Sequence, residues 1–333
     1  MAPWPRSRFP MTVLAPLAGL ARLGARLKRH WVGEQVWSGP GGCGGALSER
    51  LPDVSYDMGE GRHAVLLIHG LTGTPVEMRY VAKGLAAAGY HVHAVQLAGH
   101  CGTEGDLLRT NWQDWTASVE AAFDRLSQSH DKVAVGGLSM GAVLALHLAT
   151  RRPTAAGLLL YSPVIWHDGW SLPRMRWLLP LVFMTPLCDH YRLVESFPYG
   201  LKDERLRNVV LARMMSGDST QAGSMGMAGA SLREMLKLVR LVKRRLPAIT
   251  VPALILHSRE DDVASLRNAD FLAARLGGPV DKVVLDDCYH LIVLDRQRAR
   301  VVQESVRFLD GALSSTRAVS VAFHRLSTAT ATV

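Results

Sequence analysis

The sequence predicts an α/β fold, a mostly parallel sheet covered by helices on both faces and interrupted by a helical lid insertion. Three observations lead there. Short apolar runs with little polar alternation recur along the chain, as in strands buried on both faces. Segments of helical periodicity separate them, the pattern of parallel strands joined by crossover helices. A length of 333 residues with 48% apolar composition is ample for one large core.

The elements follow in order. HAVLLI at 63–68 is a buried strand type, followed by a turn and a helix from about Pro75 to Ala88. His91 to Val95 makes a strand, Trp112 to Gln128 a helix, and Lys132 to Gly136 a short apolar strand. A helix poor in bulk begins at Met140, and Ala155 to Tyr161 is the next strand. Residues 163–248 break this rhythm. So long a connection inside a domain should have structure of its own, and it opens with Trp166, Trp170, Trp177 and LLPLVFM at 178–184. It is expected to form the lid over the sheet's carboxyl edge. Arg233 to Arg245 within it reads as a basic helix with Leu232, Leu236, Val239 and Val242 on its apolar side. Strands at Ala253 to His257 and Lys282 to Leu285 and a helix from about Val293 to Leu309 complete the body. The expected organisation is a basic extension at 1–50, the main domain at 51–310 and a flexible tail at 311–333 rich in Ser, Thr and Ala.

The net charge of +9 is concentrated at the ends. Arg6, Arg8, Arg22, Arg26, Lys28 and Arg29 precede the first acid, Glu34, and Arg317 and Arg325 lie in the tail. The body between is nearly neutral, which excludes the footprint of a nucleic-acid binder. The uncharged run after Arg8 is short and broken by Pro10 and Pro16, unlike a membrane span. Arg22 interrupts any signal-peptide pattern, and Met11 is an alternative start. Residues 17–31 have the amphipathic, basic pattern of a helix that lies on an anionic membrane surface, and a helix packed on the main domain fits equally well. SGPGGCGGA at 38–46 reads as a flexible connector. Cys43, Cys101, Cys188 and Cys288 have neither paired nor metal-ligand spacing, so neither a disulfide framework nor a metal centre is expected.

GLSMG at 137–141, a G-x-S-x-G motif, stands between the strand at 132–136 and the helix at 140. A serine there sits on a tight strand-turn-helix elbow whose flanking glycines avoid collisions with neighbouring backbone. A serine hydroxyl needs a base, and an imidazole base needs a carboxylate to fix its tautomer. In this fold class the chain order is nucleophile, acid, histidine. Ser139 is followed by Asp261 beyond one late strand and by His290 beyond the next. Asp262 and Glu260 are rival acids. Val263, two residues past Asp261, can anchor the loop and favours Asp261. His257, within or at the end of a strand, reads as a packed or supporting residue. An oxyanion needs two backbone donors. The Met140 amide at the helix start is one, and the Leu71 amide in HGLTG at 69–73 the other. Thr72 could add its hydroxyl or simply stabilise the turn.

HGLTG at 69–73, GLSMG at 137–141, REDDV at 259–263 and HLIVLD at 290–295 resemble the alpha/beta-hydrolase superfamily, and within it the bacterial carboxylesterase and monoacylglycerol lipase branch. The resemblance covers roughly 62–310. It implies Ser139 as nucleophile, Asp261 as acid, His290 as base, and the Leu71 and Met140 amides as oxyanion hole. It gives Asp114 and Trp115 a structural role. Two departures stand out: Cys101 replaces the last glycine of a Gly-His-Gly turn, and Cys288 the glycine two before His290.

The expected function is hydrolysis of carboxylic esters of medium or long acyl chains through an acyl-enzyme, on a small-molecule substrate and without a cofactor. Acyl transfer or thioester cleavage by the same residues, and a non-catalytic membrane-associated binding protein, are the alternatives. A cytoplasmic location with peripheral contact at the inner membrane face is expected. Nothing in the sequence fixes an oligomeric state.

Overall fold

The computed structural model describes residues 51–171, 192–194, 197–215, 220 and 226–314. The basic extension at 1–50, its segment 17–31, Trp177, the apolar run at 178–184 and the tail beyond 314 lie outside the described residues.

A seven-stranded sheet forms the centre. Its strands are β1 (Tyr56–Met58), β2 (His63–Ile68), β3 (His91–Val95), β4 (Lys132–Leu138), β5 (Leu158–Tyr161), β8 (Ala253–Ser258) and β9 (Val280–Leu285). Their spatial order is β1-β3-β2-β4-β5-β8-β9. Only β1 is antiparallel to its neighbour among these strands. The parallel strands match the apolar runs, since both faces are covered. Leu66 and Ile68 of β2 join one cluster with Trp115, Phe123, Val143 and Leu232, and Val65 and Leu67 join the other with Val81, Leu85, Val301 and Leu309. Successive side chains of one strand thus enter opposite cores.

The helices bounded among the described residues are α1 (Arg79–Ala87), α2 (Glu104–Leu108), α3 (Trp112–Ser129), α4 (Met140–Arg151), α5 (Glu204–Met215), α6 (Gly229–Arg245), α7 (Arg267–Arg275) and α8 (Arg298–Ser314). The expected helix at 75–88 is a short 3-10 turn at Pro75–Met78 leading into α1. At the start of α3, the Asn111 side chain accepts from the Gln113 and Asp114 amides while Asp114 accepts from the Asn111 amide at 2.9 Å. This reciprocal cap satisfies orphan donors of the first turn. Trp115 is fully buried, and its indole donates to Thr110 at 3.0 Å. Asp114 and Trp115 therefore hold the helix start, as expected.

Two boundaries differ from the sequence reading. The last helix is α8 at 298–314, and its buried Leu313 carbonyl accepts from Lys132 at 2.7 Å, so 311–314 belong to the folded body rather than the tail. The basic helix, α6, buries Leu232, Met235, Leu238, Val239 and Val242 in the core shared with α3 and α4. It is part of the helical layer. Helical periodicity reports an apolar face but not what covers it. The remaining described insertion holds α5 and a two-stranded antiparallel ribbon of β6 (Arg192–Val194) and β7 (Gly226–Ala228).

The centre of the fold has no spare room where α4 crosses β2. A Cβ on Gly141 would lie 2.3 Å from the Ile68 carbonyl oxygen, and backbone cannot move aside as a flexible side chain does. Gly141→Ala is expected to lower the unfolding free energy by about 2 kcal/mol or more, read from urea denaturation. An unchanged urea midpoint would show that α4 can shift freely.

Candidate active site

β4 ends at Leu138, α4 begins at Met140, and Ser139 between them has φ 56° and ψ −113°. Few non-glycine residues adopt that backbone, and surrounding packing must hold it. A Cβ on Gly137 would meet the Gly141 carbonyl group at 2.2 Å. The two glycines of the motif thus let strand and helix fold back on each other and on β2. Ser139 projects from the carboxyl edge, and the Met140 amide opens α4, where backbone donors lack helical partners and the helix dipole is positive.

The loop after β2 runs beside the serine. A Cβ on Gly70 would stand 3.7 Å from the Ser139 Cβ. The Gly73 amide donates to the Gly70 carbonyl at 3.1 Å, closing a turn around Leu71. Thr72 has φ 63°, and its hydroxyl donates to the Leu71 carbonyl at 2.5 Å, which is the turn-stabilising role. His69 fixes the loop from below. Its Nδ1 donates to the Gly70 carbonyl at 2.8 Å and its Nε2 accepts from the Leu97 amide at 3.2 Å. Burial, with His100 nearby, holds its pKa down at about 3.

Asp261 and His290 meet on the same edge, beyond β8 and β9. His290 Nδ1 lies 2.8 Å from Asp261 Oδ2 and 3.1 Å from Oδ1. Oδ1 also accepts from the Val263 and Ala264 amides at 2.9 and 2.7 Å. Both residues are buried. Burial alone would push the Asp261 carboxyl up, but the His290 ring, its hydrogen bond, His257 and the Ala264 amide outweigh it and hold the pKa below the usual range. With the Nδ1 proton directed at this carboxylate, Nε2 is the basic nitrogen of His290.

Asp262, the rival acid, faces elsewhere. Its Oδ1 accepts from the His290 amide at 3.2 Å and its Oδ2 from the Gly200 amide at 3.1 Å. Burial pushes its carboxyl up, and Asp261 adds to that shift. His257 supports the acid loop: its Nε2 donates to the Ala264 carbonyl at 2.8 Å and stands 3.4 Å from Asp261 Oδ2. Three residues near the site were not singled out from sequence. His167 is driven down to about 4 by burial and by the neighbouring His290. Asp168 ties the Ser265 amide and the Asn268 side chain at 2.8 and 3.0 Å. Asp295, the last residue of HLIVLD, is fully buried and accepts four backbone amides. That motif was the one available signal for it.

A nucleophile elbow, a carboxylate-oriented imidazole and a glycine-bearing turn on one edge suit acyl transfer. The family model described as serine aminopeptidase, S33, matches residues 59–297. The chain belongs to that family. It is 30% identical over 267 residues to a thermostable monoacylglycerol lipase of Bacillus sp. (strain H-257), spanning 79% of this chain and 98% of the relative. It is 24% identical over 253 residues to a carboxylesterase of Bacillus subtilis (strain 168), spanning 75% and 93%. Among solved structures, one from a study of the metagenome-derived lipolytic enzymes LipS and LipT superposes with a TM-score of 0.66 at 24% identity, covering 77% of this chain and 97% of the other. The fold is the alpha/beta-hydrolase fold, and this S33-family member is a serine hydrolase of carboxylic esters. Among the described residues no helix is long and apolar enough to cross a membrane.

The buried histidines give the enzyme an acid limit. His69 and His100 titrate at about 3 and about 4 in the folded state, from an ordinary 6.5, chiefly through burial. Between those values the unfolded chain binds more protons, so their contribution is complete above about pH 6.5 and lost as pH falls through about 4 for His100 and about 3 for His69. Melting temperature is expected to fall steadily across that window, and less steeply in His100→Asn. A flat profile between roughly pH 6.5 and 4.5 would contradict the assignment.

Proposed function

We propose that Ser139, His290 and Asp261 are the catalytic triad of an esterase for acyl chains of medium or long length, monoacylglycerols included, with the Leu71 and Met140 amides as oxyanion hole. The observation that carries this reading is the Asp261 carboxylate, buried, with its pKa held below the usual range and 2.8 Å from His290 Nδ1, at the sheet edge where Ser139 stands on a strained elbow. His290 Nε2 takes the Ser139 proton as the hydroxyl attacks the ester carbonyl, and the oxyanion forms against the two amides. The imidazolium then protonates the leaving alcohol. Water enters, His290 removes its proton, and a second tetrahedral intermediate releases the acid. Asp261 stays ionised throughout and holds the ring's tautomer.

The chain-length reading rests on the relative named a monoacylglycerol lipase and on the apolar insertion, where each buried methylene is worth about 0.8 kcal/mol. Trp170 and Phe197, both exposed within the insertion, fit an apolar entrance. Contact with an anionic membrane surface, by a protein located in the cytoplasm, is the accompanying proposal. Its support is the basic segment at 17–31 and the cations of α6 and α7, where Lys243 and Arg267 stand 4.5 and 4.4 Å from the Trp166 ring centroid.

Two measurements check these readings. On glycerol monoesters of increasing chain length, kcat/KM is expected to rise beyond butyryl, and Ser139→Ala to lower it by about 10⁴-fold or more. A peak at acetyl with no turnover beyond butyryl would refute the apolar site. In flotation with anionic liposomes, the full chain is expected to bind better than one lacking residues 1–32, and equal binding would remove that segment as an anchor.

A further inference from the structure

The insertion meets the body at the two loops that carry Asp261 and His290. At its start, the Ser171 amide and hydroxyl donate to the Asp262 carbonyl at 3.1 and 2.7 Å, and the Gly169 amide to the Val263 carbonyl at 2.9 Å. The Trp170 indole donates to the Glu260 carbonyl at 2.9 Å. Further along, the segment 198–203 lies along the His290 loop, where the Leu291 amide donates to the Gly200 carbonyl at 2.9 Å.

Two buried carboxylates bridge that second seam in the same way. Asp262 takes the His290 amide on one oxygen and the Gly200 amide on the other. Asp295 Oδ2 takes the Tyr289 and Lys202 amides, each at 2.8 Å, and its Oδ1 takes the Arg296 and Asp203 amides, each at 2.9 Å. Every Asp295 oxygen therefore joins one amide of the insertion to one amide of the body. A neutral side chain amide cannot replace it, because its NH₂ would face two N–H donors in either orientation. Gly200 completes the fit. Its φ is 70°, and a Cβ there would lie 2.9 Å from the Leu291 side chain and 3.4 Å from the His290 Cβ.

We infer that Asp262 and Asp295 are positioning residues that make the placement of the His290 ring depend on the seating of segment 198–203. The inference rests on His290 being the catalytic base. The carboxylates touch no reacting atom; they fix the backbone on either side of the base. Deep burial makes the coupling stiff, since charge-assisted hydrogen bonds are stronger than neutral ones and an unmatched donor there is costly. Disturbance on the insertion side should therefore reach the chemical step.

The test uses the full chain with Asp262→Asn, Asp295→Asn, Gly200→Ala and the Gly200→Ala/Asp262→Asn double variant. Asp287→Asn is the control, because the exposed Asp287 carboxylate meets the Lys202 ammonium, at 3.0 Å, and the Arg296 guanidinium, at 3.2 Å, rather than backbone amides. Rates are expressed per active site titrated with a fluorophosphonate, so unfolded protein does not count. We expect kcat per titrated site to fall at least tenfold in the three single variants while KM moves less than threefold. The acid limb of the kcat/KM profile should shift to lower pH as the His290–Asp261 pair loosens. The double variant should lose less than the product of its singles, because both changes break one contact. Asp287→Asn should match the unsubstituted enzyme. If Asp262→Asn and Asp295→Asn keep kcat per site within twofold and the acid limb stays in place, the inference is overturned, whatever happens to melting temperature. A drop in Asp287→Asn equal to theirs would overturn it as well. Absence of Ser139-dependent turnover in the unsubstituted enzyme would refute the triad instead.

Discussion

The close crossing of α4 over the end of β2 is the constraint on which the site depends. Gly141 rests against the Ile68 carbonyl, and Gly137 against Gly141 itself. That contact decides three placements together. It lets Ser139 turn out at φ 56°, it starts α4 with the Met140 amide beside the serine, and it brings the loop after Ile68 alongside. A backbone strain of this kind costs about 1–3 kcal/mol and persists only where packing over-determines it. Here the helix is buried along nearly its whole length, from Met140 to Ala149, and β4 lies between β2 and β5 near the middle of the sheet. The strained residue is thus fixed from two sides.

Adjacent carboxylates show how donors, rather than residue type, assign roles. Asp261 and Asp262 are both buried, and burial pushes both towards neutrality. Asp261 collects two loop amides and the His290 ring, and its pKa ends below the ordinary range. Asp262 receives one amide on each oxygen and sits beside another negative charge, and its pKa ends above it. The first is suited to stay ionised opposite an imidazolium, the second to bridge backbone.

The sheet strands and the elbow were readable because their signals are local. An apolar run without alternation predicts a doubly covered strand, and the order of Ser139, Asp261 and His290 follows from the topology. The handle in the sequence for Asp261 over Asp262 is the apolar side chain of Val263, whereas the contact in the structure is its backbone amide on Asp261, which any residue but proline could supply. The bridging of Asp262 and Asp295 was not readable. Their partners at 200–203 are backbone amides dozens of residues away, and an amide leaves no mark in a sequence. The role of α6 was hidden for a related reason, because an amphipathic pattern is the same whether the face meets a core or a ligand. At the Gly-His-Gly departure, the structure keeps the left-handed turn, with Cys101 at φ 65° where glycine would adopt it without strain. Cys288 has no such conformation. It is buried, and its carbonyl accepts the Ser258 hydroxyl at 2.5 Å, so a side chain is tolerated there.

These arrangements separate what can vary from what cannot. The insertion meets the Asp261 loop at 169–171 and the His290 loop at 198–203, and on the insertion's side both contacts are made largely by backbone. Side chains within those two segments that take no part in these contacts can vary without altering the hydrogen bonds made to the Asp261 and His290 loops. Backbone at the two seams has no such freedom. Gly169, whose Cβ would meet the Asp262 carbonyl oxygen at 2.1 Å, and Gly200 mark the places where the insertion presses on the loops of Asp261 and His290. What these contacts constrain is therefore the path of the backbone at 169–171 and 198–203, not the identity of the side chains it carries.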